Sequence, residues 1–66
     1  MGLVRIWELS TSKDDYGVTQ VECKFLIEYD DGQIISSTIS FMKYNYIYQD
    51  ILTCIQKYFK GDLQLL

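Results

Sequence analysis

The stretch from Val21 to Tyr29 constrains this chain more than any other. Val21, Cys23, Phe25, Ile27 and Tyr29 alternate with Gln20, Glu22, Lys24 and Glu28, and Leu26 is the one apolar intruder. Side chains on a strand point to opposite faces in turn, so this pattern specifies one buried and one wet face. The strand runs into Asp30-Asp31-Gly32, a turn sequence, and a second strand-forming run follows over about Gln33 to Lys43. A two-residue loop would set Ile27 against Ser36 and Phe25 against Thr38. A three-residue loop with Gly32 in left-handed geometry sets Ile27 against Ile35, Cys23 against Ile39 and Val21 against Phe41. A one-residue slip turns a whole strand over, so matched faces favour the three-residue loop. Gly32 is then a conformational requirement. The outer face of this third strand carries Ser36, Thr38 and Ser40.

Upstream, Leu3 to Leu9 is a short run of strand formers, and Ser10 to Gly17 reads as a loop by composition. Downstream, Asn45 stands where a helix N-cap belongs. Ile47, Ile51, Cys54, Ile55 and Tyr58 follow at helical spacing, and Gly61 follows Lys60 as a terminator, which predicts a helix over about Tyr46 to Lys60. Tyr48, Leu52, Ile55 and Phe59 form a second stripe. It makes the apolar face wider than one side of a small sheet needs. Asp62 to Leu66 is short and apolar, fit for an edge strand or for docking on a second subunit. The expected fold is α+β: a three-stranded antiparallel sheet with one C-terminal helix on one face, in the order β-β-β-α, as a single domain over residues 1–66.

Sixty-six residues bury too little surface for comfortable stability, so a staple is expected. With His 0 and no Cys-x-x-Cys pair, no metal is expected. Cys23 and Cys54 are read either as buried thiols or as one disulfide. Self-association is the staple that remains, through Tyr48, Leu52, Ile55 and Phe59, giving a homodimer. No apolar run reaches the ~20 residues of a membrane span, and the amino terminus has no signal-peptide pattern.

The chain is poor in catalytic parts. It lacks His, the usual base near neutral pH, and it lacks the glycine-rich phosphate loops and calcium-loop spacing. The expectation is a protein that is no enzyme and needs no cofactor. Its six cations, Arg5, Lys13, Lys24, Lys43, Lys57 and Lys60, are scattered in a chain of formal net charge -3, which argues against direct nucleic-acid binding. The carboxylates are the more suggestive feature. Glu22 and Glu28 point outward from the second strand, and Glu28, Asp30 and Asp31 make one negative end. Asp14 and Asp15 join that end or lie opposite it, depending on how the first strand pairs. Such a surface suits a basic partner, steered by the complementary field. Tyr44, Tyr46 and Tyr48 cluster before the helix. One or two can cap the core edge, and the others form an amphipathic contact patch. The expected partner-binding residues are Glu22, Glu28, Tyr29, Asp30, Asp31, Tyr44 and Tyr46.

From about Phe25 onward the chain resembles the small dimeric uracil-DNA glycosylase inhibitors of Bacillus phages. The likeness lies in the apolar strand ending in Glu28-Tyr29-Asp30-Asp31-Gly32, the strand after it, the tyrosine-rich helix and the leucine-rich tail. Asp30-Asp31-Gly32 is the part that matches as residues. Ser37 and Ile47 stand roughly where that family has a strand carboxylate and a helix aromatic. The resemblance implies a dimeric, cytoplasmic inhibitor in an infected bacterial host, blocking the DNA-binding cleft of an enzyme by DNA mimicry. An anti-CRISPR protein and a non-inhibitory dimeric assembly or regulatory module are the alternatives.

Overall fold

The computed structural model describes residues 1–66, and the alternating stretch lies at its centre. Strand β2 (Val18–Tyr29) fully buries Val21, Cys23, Phe25 and Ile27. Strand β3 (Ile34–Tyr44) pairs with it antiparallel in the expected register, Ile27 opposite Ile35, Cys23 opposite Ile39 and Val21 opposite Phe41. Gly32 takes φ +88°, and its amide donates to the Tyr29 carbonyl at 3.0 Å. The Tyr29 amide in turn donates to the Gln33 carbonyl at 2.9 Å, and the Gln33 amide to Asp31 Oδ1 at 2.9 Å.

Strand β1 (Gly2–Lys13) is longer than its composition indicates. Ser10 to Lys13 belong to the strand and pair with Thr19 to Glu22, so the connecting turn is only Asp14 to Gly17. The hairpin ladder satisfies these backbone groups whatever the polarity of the side chains, and a loop reading based on serine and threonine misses that. Asp14 fixes the turn: Oδ1 accepts from the amides of Tyr16 at 2.9 Å and Val18 at 3.0 Å. One extra residue, Trp7, bulges from β1 between Ile6 (opposite Phe25) and Glu8 (opposite Lys24).

The sheet also differs from the expected one. Residues Leu63–Leu65 form strand β4, which pairs parallel with Gly2 to Val4 of β1. The sheet is therefore four-stranded and mixed, in the order β3-β2-β1-β4. The apolar tail can dock there because Gly2 leaves room: a Cβ on it would stand 2.7 Å from Leu63 Cδ2. Leu63 is buried, and the Gly2 amide donates to the Asp62 carbonyl at 2.7 Å.

The helix differs too. Helix α1 (Tyr48–Gln56) starts and stops inside the expected range, and Asn45 is not its cap. Asn45 is instead the corner residue between β3 and the helix, at φ +46°, a geometry asparagine tolerates better than most. Ile47 occupies the cap position, and its amide donates to Asp50 Oδ2 at 2.8 Å. At the far end the chain leaves the helix in a turn over Lys57 to Phe59, and Gly61, at φ +87°, redirects it into β4. Ile51, Leu52 and Ile55 close the core over β2, with Val4, Ile39 and Leu63 around them. Phe59 meets Phe25 edge-on, ring centroids 5.5 Å apart. The molecule measures 44 × 18 × 17 Å, and no helix is long and apolar enough to cross a membrane.

Candidate partner-binding surfaces

The pairing of β1 decides where the carboxylates lie. The β1–β2 turn and the β2–β3 turn fall at opposite ends of strands twelve and eleven residues long, so Asp14 and Asp15 are remote from Asp30 and Asp31. Tyr44 pairs with Val18 and therefore belongs to the Asp14–Asp15 end. Tyr46 packs edge-on against Phe41 there, at 6.4 Å, half-buried as a cap on the core, and Tyr44 is exposed. Glu22 lies between the ends, six residues or about 20 Å from Glu28 along β2, beside a shallow hollow lined by Ser10, Thr11, Ser12 and Gln20. The seven expected binding residues thus do not make one site. They divide into Glu28, Tyr29, Asp30 and Asp31 at one end, Glu22 midway, and Tyr44 and Tyr46 at the other.

The end carrying Asp30 gains a residue that sequence reasoning passed over. Asp62, just before β4, comes to the same place because β4 lies alongside the start of β1. The Met1 amine sits among these groups, donating to Asp30 Oδ2 at 2.8 Å. This hydrogen bond, reinforced by the charges of Asp30, Asp62 and Asp31, holds the amine above its ordinary pKa of 8.0. Asp30 and Asp31 are therefore not without internal partners, as their turn position suggests. Asp30 has the amine and Asp31 the Gln33 amide, while Glu28 is exposed with no cation within ion-pair distance. Tyr29 faces inward and is tied down: its hydroxyl donates to the Lys60 carbonyl at 2.8 Å, and Lys60 Nζ lies 5.6 Å from its ring centroid.

Two of the six cations are engaged elsewhere. Lys24 pairs with Glu8 at 3.1 Å and stands 5.6 Å from the Trp7 ring centroid; Lys43 pairs with Asp50 at 2.6 Å. Asp50 is held below the usual carboxylate range by that lysine and by the Ile47 amide. Arg5, Lys13 and Lys57 have no carboxylate within ion-pair distance.

The helix stripe expected at a subunit interface is largely spent inside the chain. Leu52 is 7% exposed, Ile55 is fully buried and Phe59 packs on Phe25, while Tyr48 stays 52% exposed. The thiols are free. Cys23 is buried, and desolvation, with Cys54 nearby, pushes it up to about 11. No group of three or more acidic or thiol side chains is arranged to hold a metal ion. Comparison with protein-family models, curated proteins and solved structures finds no match.

Proposed function

We propose that this chain is a small binding protein of the phage-inhibitor type, acting in the cytoplasm of an infected host by occupying the basic surface of a DNA-binding enzyme. A uracil-DNA glycosylase is the first target to test, and a CRISPR effector is the alternative. One observation carries this reading: Glu28, Asp30, Asp31 and Asp62 gather at one end of an elongated body, on turn and strand termini whose backbones are fixed. Like charges held together oppose folding slightly, so their retention is easier to understand if a basic partner uses them. The Met1 amine and Lys60 offset only part of that charge. In this reading the protein works by binding and not by turnover.

The test is uracil excision by a host glycosylase titrated with this protein. Stoichiometric inhibition, relieved by DNA and weakened as salt rises past ~0.15 M, where screening shortens to about 8 Å, is the expected result. Asp30→Asn/Asp31→Asn keeps shape and turn propensity, so a loss of inhibition in that variant reports charge. No inhibition at large molar excess removes the glycosylase. An unchanged affinity in the Asn variant removes the acidic-end mechanism for any target. The dimeric assembly reading is favoured by a different observation, the unpaired outer edge of β3.

A further inference from the structure

We propose that β3 is the self-association edge of this protein, pairing antiparallel with β3 of a second copy about a two-fold axis at Ile39. This surface lies apart from the acidic end and does not depend on the inhibitor reading.

β3 ends the sheet, and nothing covers its outer side. It is eleven residues long, contains no proline, and has Lys43 as its only charge. Natural edges of this length are normally blunted by charges, prolines, bulges or short strands, because unpaired N–H and C=O groups recruit another strand. The other long edge shows such protection. β1 is covered by β4 over Gly2 to Val4, bulges at Trp7, and carries Arg5, Glu8 and Lys13 along the remainder. One edge is guarded and one is open, so pairing closes at two copies instead of running on into a fibre.

The free edge is complementary to itself. The Tyr29 amide donates to the Gln33 carbonyl, so alternation along the ladder from there directs the backbone groups of Ile35, Ser37, Ile39, Phe41 and Lys43 toward β2. Those of Ile34, Ser36, Thr38, Ser40, Met42 and Tyr44 point outward. An axis at Ile39 sets each outward residue against another and overlaps the strand along its whole length. It also keeps core face with core face. On the solvent face Ile34 then meets Tyr44, Ser36 meets Met42 and Thr38 meets Ser40; on the core face Ile39 meets Ile39, Ser37 meets Phe41 and Ile35 meets the stem of Lys43. No like charges oppose, and Ile34–Tyr44 (aromatic with β-branched) and Thr38–Ser40 (hydroxyl with hydroxyl) are of the kinds that stabilise adjacent strands.

A groove of about 350 Å³ runs beside this edge, between Ser37 to Ser40 and the side chains of Tyr58 and Phe59. Tyr58, on the wall of that groove, is 73% exposed. The edge is about 36 Å long, on a body 17–18 Å thick where the helix backs it and one sheet layer of about 10 Å elsewhere; it offers about 450 Å² per copy, so pairing hides about 900 Å², the size of a weak, concentration-dependent interface.

The test is sedimentation equilibrium with backbone hydrogen exchange, on the wild type and two edge variants. At about 100 μM the wild type should sediment at twice 7.8 kDa, and on dilution the amides of Ser36, Thr38, Ser40 and Met42 should lose protection together. Ser36→Lys/Met42→Lys places lysines opposite each other across the axis, on the solvent face, where their β2 neighbours are the uncharged Leu26 and Gln20, and Thr38→Pro removes one outward donor without touching the β2 ladder. Both variants should be monomers with the circular dichroism and melting temperature of the dilute wild type. A wild type that stays at 7.8 kDa, a dimer that survives the lysine pair, or a ladder of larger oligomers would each overturn the proposal.

Discussion

Two glycines show how differently one missing Cβ can matter. At Gly32 an added Cβ would meet nothing within 4 Å, yet φ is +88°, so the penalty of substitution is wholly one of backbone conformation. Gly32→Val should destabilise by roughly 1 kcal/mol or more, a fall of about 4–8 °C in melting temperature for a domain this small. An unchanged melting temperature would mean that the turn is built differently. Gly2 is the reverse case: an added Cβ would crowd Leu63, Ile27 and Tyr29 at 2.7 to 3.1 Å, and Gly2→Ala should loosen β4. Asp50 supplies the pH dependence. Its carboxyl titrates below 3.8 in the folded chain, because Lys43 and the Ile47 amide favour the charged form. A depressed folded pKa contributes stability that is fully present above the unfolded value and is lost as pH falls from there through the folded value. The melting-temperature difference between wild type and Asp50→Asn should be constant near neutrality and close below about pH 4. Carboxylates common to both proteins cancel in that difference.

At the level of the element, legibility followed redundancy. The β2–β3 register could be read because several apolar matches and the position of Gly32 all require the same loop length. The helix start could not, because asparagine serves equally as an N-cap and as a left-handed corner residue, and the actual partner of the Ile47 amide, Asp50, lies inside the first turn. The second half of β1 is not legible in sequence because Ser10 to Lys13 resemble a loop until Thr19 to Glu22 are placed opposite them. The apolar stripe of the helix was visible, but a stripe says only that something covers it. In the structure β2, β3 and the added strand β4 take up Leu52 and Ile55. Leu52→Ala should therefore cost about 2–5 kcal/mol by denaturant unfolding. The loss should be as large in the lysine-edged double variant, since the contact lies within one chain.

For the whole molecule, the candidate site was legible only in pieces. Charges and aromatics could be assigned to strand faces and turns, and local pattern goes no further than that. The β2–β3 register alone sets Tyr44 at the end opposite Asp30, but whether Asp62 joins Asp30 depends on where the tail docks. That is a contact between residues far apart in the chain, and no periodicity encodes it. The body that results is lopsided. Strands about 40 Å long support a helix of nine residues, about 13.5 Å, so the cover is concentrated on one stretch of one face. The opposite face of the sheet is open, as is the β3 edge.

The bulge at Trp7 has a consequence for how such a chain can change its length. Removing one residue from a strand normally exchanges its inner and outer faces from that point on. Here Ile6 already stands opposite Phe25, and Glu8 opposite Lys24, with Trp7 as the surplus between them. Loss of Trp7 alone would join two segments that are already in phase, leaving Leu9 on the side of Cys23 and Ser10 on the side of Glu22. Strand β1 therefore has one position where a single-codon deletion is nearly silent for the fold. The price is a 56%-exposed indole on the open face, the part of that residue a partner could feel.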